Sequence, residues 1–143
     1  MMTKILSFAL AAALCAPAFA QKMGSTNSQA PTVKQTIMAG DAKISLDYTS
    51  ITWASGKTMA RIMDKEKGAG ARERINGSAA ESPLGTLNTS VNLVCGDLHI
   101  PAGEYVVYFT ITEDLAWQIN FKGKEKTHTT KLALNDSEHE SKR

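Results

Sequence analysis

Between Lys43 and Tyr48 the side chains alternate: Ile44, Leu46 and Tyr48 are apolar or aromatic, Ser45 and Asp47 polar. A period of two sends successive side chains to opposite faces of an extended chain, so KISLDY predicts a strand with one wet face. Ile51 and Trp53 are expected to continue it past a kink at Ser50. The period then changes. Met59, Ile62 and Met63 fall at i, i+3 and i+4, which predicts a short amphipathic helix from Thr58 to about Glu66, closed by Gly68 and Gly70. No apolar period follows as far as Gly85, so the rest of residues 55–85 is expected to form a long loop, either functional or mobile.

From Thr86 the strand pattern returns. TLNTSVNLV is one expected strand, Gly96-Asp97 a turn, and LHI a short strand. Pro101-Ala102-Gly103 turns the chain into EYVVYFTI, because proline presets φ and glycine tolerates a positive one. AWQINF follows, then a turn at Lys122-Gly123-Lys124 and a last strand in THTTKLAL. Tyr105, Val107, Phe109 and Ile111 share one face of this hairpin with Trp117, Ile119 and Phe121, while Gln118, Asn120 and Lys122 face water. Burying seven side chains does not offset the entropy of ordering the hairpin, so it needs a second layer. The expected partner is a sheet holding Ile44, Leu46, Tyr48, Val91 and Leu93. Short strands with no long helix between them predict an all-β fold, an antiparallel β-sandwich with one short helix in a long loop.

The ends carry other information. Lys4 is followed by an apolar run from Ile5 to Leu14 and by Ala18-Phe19-Ala20, the layout of a secretory signal peptide cleaved before Gln21. The run is well short of the roughly 20 apolar residues that span a bilayer. Leu14 precedes Cys15 where lipid attachment needs a small residue, so a lipoprotein is not expected. Residues 21–35 are polar, with Gly, Ser, Asn and Pro, and are expected to be a flexible linker ahead of a single domain over residues 36–143. The terminal NDSEHESKR is wholly polar. A β domain normally pairs its last strand, so the sequence is expected to be a fragment lacking C-terminal strands, or else to leave an open edge.

Composition narrows the classes of function. Loss of residues 1–20 removes Lys4 and no acid, leaving 15 basic and 14 acidic residues. Near-neutrality gives no counterion-release drive towards nucleic acid and little pull to anionic lipid. Cys95 is the single cysteine of the exported chain, so no internal disulfide is available, and as an unpaired thiol it is expected to be buried.

Candidate chemistry is sparse. Ser55-Gly56-Lys57-Thr58 ends like a phosphate-binding loop, but Ile51 stands where that loop needs its first glycine. His99, His128 and His139 are the only imidazoles; no serine lies in a G-x-S-x-G elbow and no S-x-x-K occurs, so each is expected to be a surface residue. Glu138-His139-Glu140 with His128 is a weak ligand set, since three consecutive residues do not point one way and no cysteine joins them. Lys65 to Arg74 mixes signs without aromatics, the pattern of a solvated loop. Asn76-Gly77-Ser78 and Asn88-Thr89-Ser90 fit the glycosylation sequon, which suits surface loops.

LHIPAGEYVVYFTITEDLAWQINF resembles the bacterial exported family called domain of unknown function 2911. The resemblance is carried by Pro101, Ala102, Gly103, Tyr105, Phe109, Trp117 and Phe121, with ISLDY at 44–48 similar to that family's first strand. It implies an exported β-sandwich without an established activity. The family's W-R-x-G-A-N-E segment has no counterpart in RERINGSAAESPLGTLNT, and its closing strands are missing. No catalytic residue, cofactor or metal ligand is therefore carried over.

These observations lead to an expectation of a non-catalytic, exported binding or structural module of the cell envelope, periplasmic or secreted. Its partner is expected to be a small molecule, glycan or protein rather than nucleic acid, with no transmembrane segment. The alternative is a small hydrolase or carbohydrate-active domain using the loop at 55–85, where Lys57, Arg61, Asp64, Glu66, Arg72 and Glu73 cluster in sequence.

Overall fold

A computed structural model describes residues 31–50 and 57–133 of the chain. The expected signal peptide, Cys15, Ile51, Trp53, Ser55, Gly56 and the polar end from 134 to 143, with His139, lie outside the described residues. The fold is all-β and antiparallel throughout. Strands β1 (Thr32–Ala39), β2 (Ala42–Thr49), β3 (Gly85–Thr89), β6 (Gly103–Ile111), β7 (Trp117–Lys122) and β8 (Thr127–Lys131) form one six-stranded sheet in that order. Strands β4 (Leu93–Cys95) and β5 (Leu98–Ile100) pair as a separate two-stranded ribbon.

The strand pattern of 43–48 holds, with one difference of layer. Ile44, Leu46 and Tyr48 do not oppose the hairpin from a second sheet but lie in the same sheet, with Leu46 beside Leu87 and Leu87 beside Tyr105. Pairing of Val107 with Phe121, Phe109 with Ile119 and Ile111 with Trp117 puts the seven predicted apolar residues on one inner face. Two covers share that face. The ribbon lays Leu93, Leu98 and Ile100 over Leu87, Tyr105 and Val107. Two helices, α1 (Lys57–Ile62) and α2 (Ala69–Ser78), bring Ile62 and Ile75 onto Phe109, Ile111 and Trp117.

Several expectations are corrected. The segment expected to be linker at 21–35 contains the start of β1 at Thr32. The chain turns from β1 to β2 at Gly40-Asp41, where Gly40 has φ 59°, a turn geometry whose twist matches paired strands. TLNTSVNLV does not run as one strand. It breaks at Thr89, whose hydroxyl bonds the carbonyl of Val91 at 2.6 Å and so redirects the chain from sheet to ribbon. Cys95 is exposed at the ribbon's tip, next to a glycine at φ 57° and a Val94 left 66% accessible. There its burial would need a third layer that the described residues do not supply.

The largest correction is α2, in a stretch expected to be loop. Gly68 does not end a helix but caps this one. Ile75 is its one large buried apolar side chain, joined by Ala71 on the core side and by Ala79 at the C-cap. The rest of its docking is polar. The Asn76 amide donates to the Ile111 carbonyl at 2.8 Å and its oxygen accepts the Ile111 N–H at 2.9 Å, so the side chain extends the backbone pairing of β6 at its end. Asn76 is therefore not the free loop asparagine that its sequon suggests.

Asn76→Ala is expected to lower stability by about 1–2 kcal/mol in urea unfolding, since it leaves both Ile111 backbone groups unpaired. Gly77, one residue on, provides the contrast, because nothing stands within reach of a side-chain methyl at that position. Gly77→Ala is expected to raise stability by about 0.5–1 kcal/mol in the same measurement.

Candidate ligand-binding face

The face opposite the core is mostly polar and, among the described residues, carries no helix. Strand register brings Lys34 and Asp47 to it from one edge, Asn88 and Glu104 at the centre, and Asn120 and Thr129 from the other edge. Sequence periodicity predicts its wetness strand by strand but not its internal order. Asn120, expected to face water, is 6% exposed. Its amide donates to the Thr110 hydroxyl at 2.9 Å and its oxygen accepts from the Thr129 hydroxyl at 2.8 Å, while Thr110 approaches Gln118 at 3.4 Å. Further in, the Asn88 amide holds Glu104 at 3.0 Å. A buried amide with partners on both sides has one favoured orientation, so the β7 side of this face is held in a fixed arrangement around Asn120.

Near the β1 edge the same face carries charge. Lys34 pairs with Asp47 at 3.2 Å, and the second Asp47 carboxylate oxygen is buried with no hydrogen bond among the described residues. Asp47 also helps to fix β3: a methyl on Gly85 would strike the Asp47 carbonyl oxygen and crowd Tyr48, so only glycine lets the strands approach this closely.

Two adjoining depressions cross this face, and a third joins them at the end of the sheet, where Tyr105 and His128 line it from the inner side. The first, between β1, β2 and β3, is lined by Lys34, Ser45, Asp47 and Asn88. It shares Thr86 and Asn88 with the second, which reaches Val106 and Lys122. The second shares Glu104 and Lys124 with a third of about 640 Å³, which turns over the end of the sheet between Pro101 and Lys126. Its floor is the Tyr105 ring, whose hydroxyl donates to the Pro101 carbonyl at 2.7 Å and ties the ribbon's exit to β6. His128 stands edge-on to that ring, centroids 5.9 Å apart. Pro101-Ala102-Gly103 thus acts as the corner that the sequence suggests, joining two sheets rather than two strands of one hairpin. His128, expected at the surface, is half-buried, whereas His99 is exposed.

The charged cluster expected in the loop at 55–85 does not converge. Arg72 is 7% exposed and donates to three carbonyls: Ile62 at 2.6 Å, Asp64 at 2.7 Å and Lys65 at 2.7 Å. A guanidinium there satisfies the Ile62 carbonyl at the end of α1, adds to the bond that the Asp64 carbonyl accepts from the Gly68 N–H, and complements the partial negative charge of that helix end. Gly68 makes room for it, since a methyl at that position would meet the Arg72 Nη1 at 2.6 Å. The Asp64 carboxylate accepts the N–H groups of Glu66 at 3.0 Å and Lys67 at 2.7 Å. Arg61, Glu66 and Glu73 are exposed, and Lys57 begins α1. Arg61, Asp64, Glu66, Arg72 and Glu73 hold helix ends together or face solvent. Among the described residues no three His, Cys, Asp or Glu side chains group to hold a metal, and no helix is long and apolar enough to cross a membrane.

The signal for the outer face was present in the sequence as Thr, Ser, Asn and Gln at alternate positions of successive strands. Finding it required the register, which joins residues as distant as Lys34 and Lys122. A scan against protein-family models, a search of curated proteins and a search of solved structures each return no match.

Arg72→Met is expected to cost about 2–4 kcal/mol by urea unfolding, because the buried Ile62 carbonyl and the part-buried Asp64 and Lys65 carbonyls lose a charged donor. Thiol labelling of the native protein is expected to modify Cys95 as fast as an unfolded control, in line with its exposure.

Proposed function

We propose that this chain is a non-catalytic binding module exported to the cell envelope, and that it holds a linear, polyhydroxylated chain, a glycan, across the outer face of its six-stranded sheet. The observation that carries the reading is the row of polar side chains, Lys34, Ser45, Asp47, Asn88, Glu104 and Lys122, that lines two adjoining depressions of the outer face, with Lys34 held by Asp47 and Asn88 by Glu104. Hydroxyl and amide groups both donate and accept, as sugar hydroxyls do. Side chains already held by one another lose little rotamer freedom on binding. The groove crosses the strands rather than following an edge, which suits a ligand recognised through side groups better than a peptide added as another strand.

Export is supported by the signal-peptide pattern and by the resemblance of residues 86–121 to an exported family. The non-catalytic reading is supported by the engagement of Asp64 and Arg72 at helix ends, which takes both from the hydrolase alternative.

A thermal-shift panel of soluble neutral and acidic oligosaccharides on residues 21–143 tests this. A true ligand at one hundred times its Kd adds about 2.7 kcal/mol and raises Tm by several degrees. Asn88→Ala is expected to remove that rise while leaving the Tm of the free protein within a degree or two. No rise with any oligosaccharide, or a rise that Asn88→Ala leaves intact, rejects the proposal.

A further inference from the structure

Strand β1 forms one edge of the six-stranded sheet, and among the described residues it pairs with β2 alone. Its eight residues run in unbroken register with β2 and hold no proline, no bulge and no charge other than Lys34. Free edges normally carry such guards, since a row of open N–H and C=O groups is a template for another chain. The opposite edge is guarded: β8 has five residues, ends on Lys131 and starts beyond a turn that holds Lys124 and Lys126. On β1 the single charge is drawn onto its own sheet, where Lys34 meets Asp47 at 3.2 Å, while Ile37 and Met38 remain 61% and 63% accessible.

Both the hydrogen-bond phase and the side chains of this edge match a second copy of the same strand. The Ser50 N–H donates to the Pro31 carbonyl at 2.9 Å, so Val33, Gln35, Ile37 and Ala39 bond β2, and Thr32, Lys34, Thr36 and Met38 turn their backbone groups outward. Two β1 strands lying antiparallel about Gln35 place Lys34 against Thr36 and Thr32 against Met38, so outward N–H groups meet outward carbonyls. Val33 then stands beside Ile37 of the second copy on the core side, where Val33 pairs with Tyr48 and Ile37 with Ile44 within each sheet. Centring the pair on Lys34 would oppose two ammonium groups, and centring it on Thr36 would set Gln35 against Ile37. Any extended peptide meets the backbone groups; the reversed β1 sequence also meets the side chains.

We infer that β1 is a self-association edge, through which two copies of this chain join their sheets by antiparallel pairing about Gln35. The two-fold axis stands perpendicular to the sheet, so both outer faces lie on one side and their Lys34-lined depressions adjoin across the seam. A contact one strand wide is at the small end of specific interfaces, so a dissociation constant of about 10–100 μM is expected. The inference does not depend on the glycan reading.

The test is sedimentation velocity of residues 21–143 carrying Cys95→Ser, which removes the exposed thiol as a source of dimers, at about 1 to 500 μM. Monomer is expected at the low end and dimer at the high end. Thr36→Pro deletes an outward donor and no bond to β2, and Ile37→Lys sets a charge in the seam at an already exposed position. Each is expected to raise the dissociation constant at least about tenfold, the value of one lost interface contact of about 1.4 kcal/mol. Gln35→Cys is expected to give a disulfide-linked dimer on oxidation, because the central pair is not hydrogen-bonded and brings its Cα atoms to about 4.5 Å. Thr36→Cys is expected to cross-link far more slowly. A chain that stays monomeric throughout, or a dimer that either folded variant leaves intact, overturns the inference, and should Thr36→Pro not fold, Ile37→Lys decides alone. Faster cross-linking at position 36 than at 35 overturns the pairing about Gln35.

Discussion

The inner row of β6 sets the terms for the rest of the molecule. Tyr105, Val107, Phe109 and Ile111 are each buried to 8% exposure or less along a nine-residue strand, a length of about 30 Å. Neither cover reaches that far. The three-residue strands of the ribbon span about 10 Å and the ten-residue α2 about 15 Å. Covering the row therefore takes both, one at each end. The two clusters of the core are the result, with Tyr105 and Val107 under the ribbon and Phe109 and Ile111 under the helices.

The two covers attach by different physics. The ribbon is held mainly by apolar packing and by the Tyr105 hydroxyl at its exit. The helices combine the Ile62 and Ile75 contacts with polar fasteners: Asn76 on the end of β6, Arg72 between α1 and α2, and the Trp117 indole on the Met63 sulfur at 3.3 Å. Helices of six and ten residues fall below the length at which isolated helices persist in water, so their order derives from these contacts.

That difference explains what was legible in the sequence. The strands at 44–48, 103–111 and 117–122 announce themselves by a period of two, since their burial is apolar and one-sided. The helix at 69–78 does not, because Arg72 and Asn76 occupy positions where a helical pattern shows leucine or isoleucine. Strand β1 was hidden for a related reason: as an edge strand with Ile37 and Met38 more than 60% exposed, it has no buried stripe to reveal, and only Gly40-Asp41 marks its turn. The outer face was legible as polar but not as ordered. Its lattice joins Thr110, Asn120 and Thr129 from three strands, and such a relation exists only once register is known.

The sheet order β1-β2-β3-β6-β7-β8 has a consequence for how such a molecule diversifies. Every pair of neighbours in the sheet is also consecutive along the chain once two excursions are set aside, one between β2 and β3 and one between β3 and β6. Those excursions are the helices and the ribbon. The domain is thus an up-and-down meander with two inserts on one side. Lengthening, exchanging or reshaping an insert changes the lid over the core without rethreading a strand or disturbing the lattice on the far side. The apolar packing and the polar outer face thus lie on opposite surfaces of one scaffold, free to vary at separate rates.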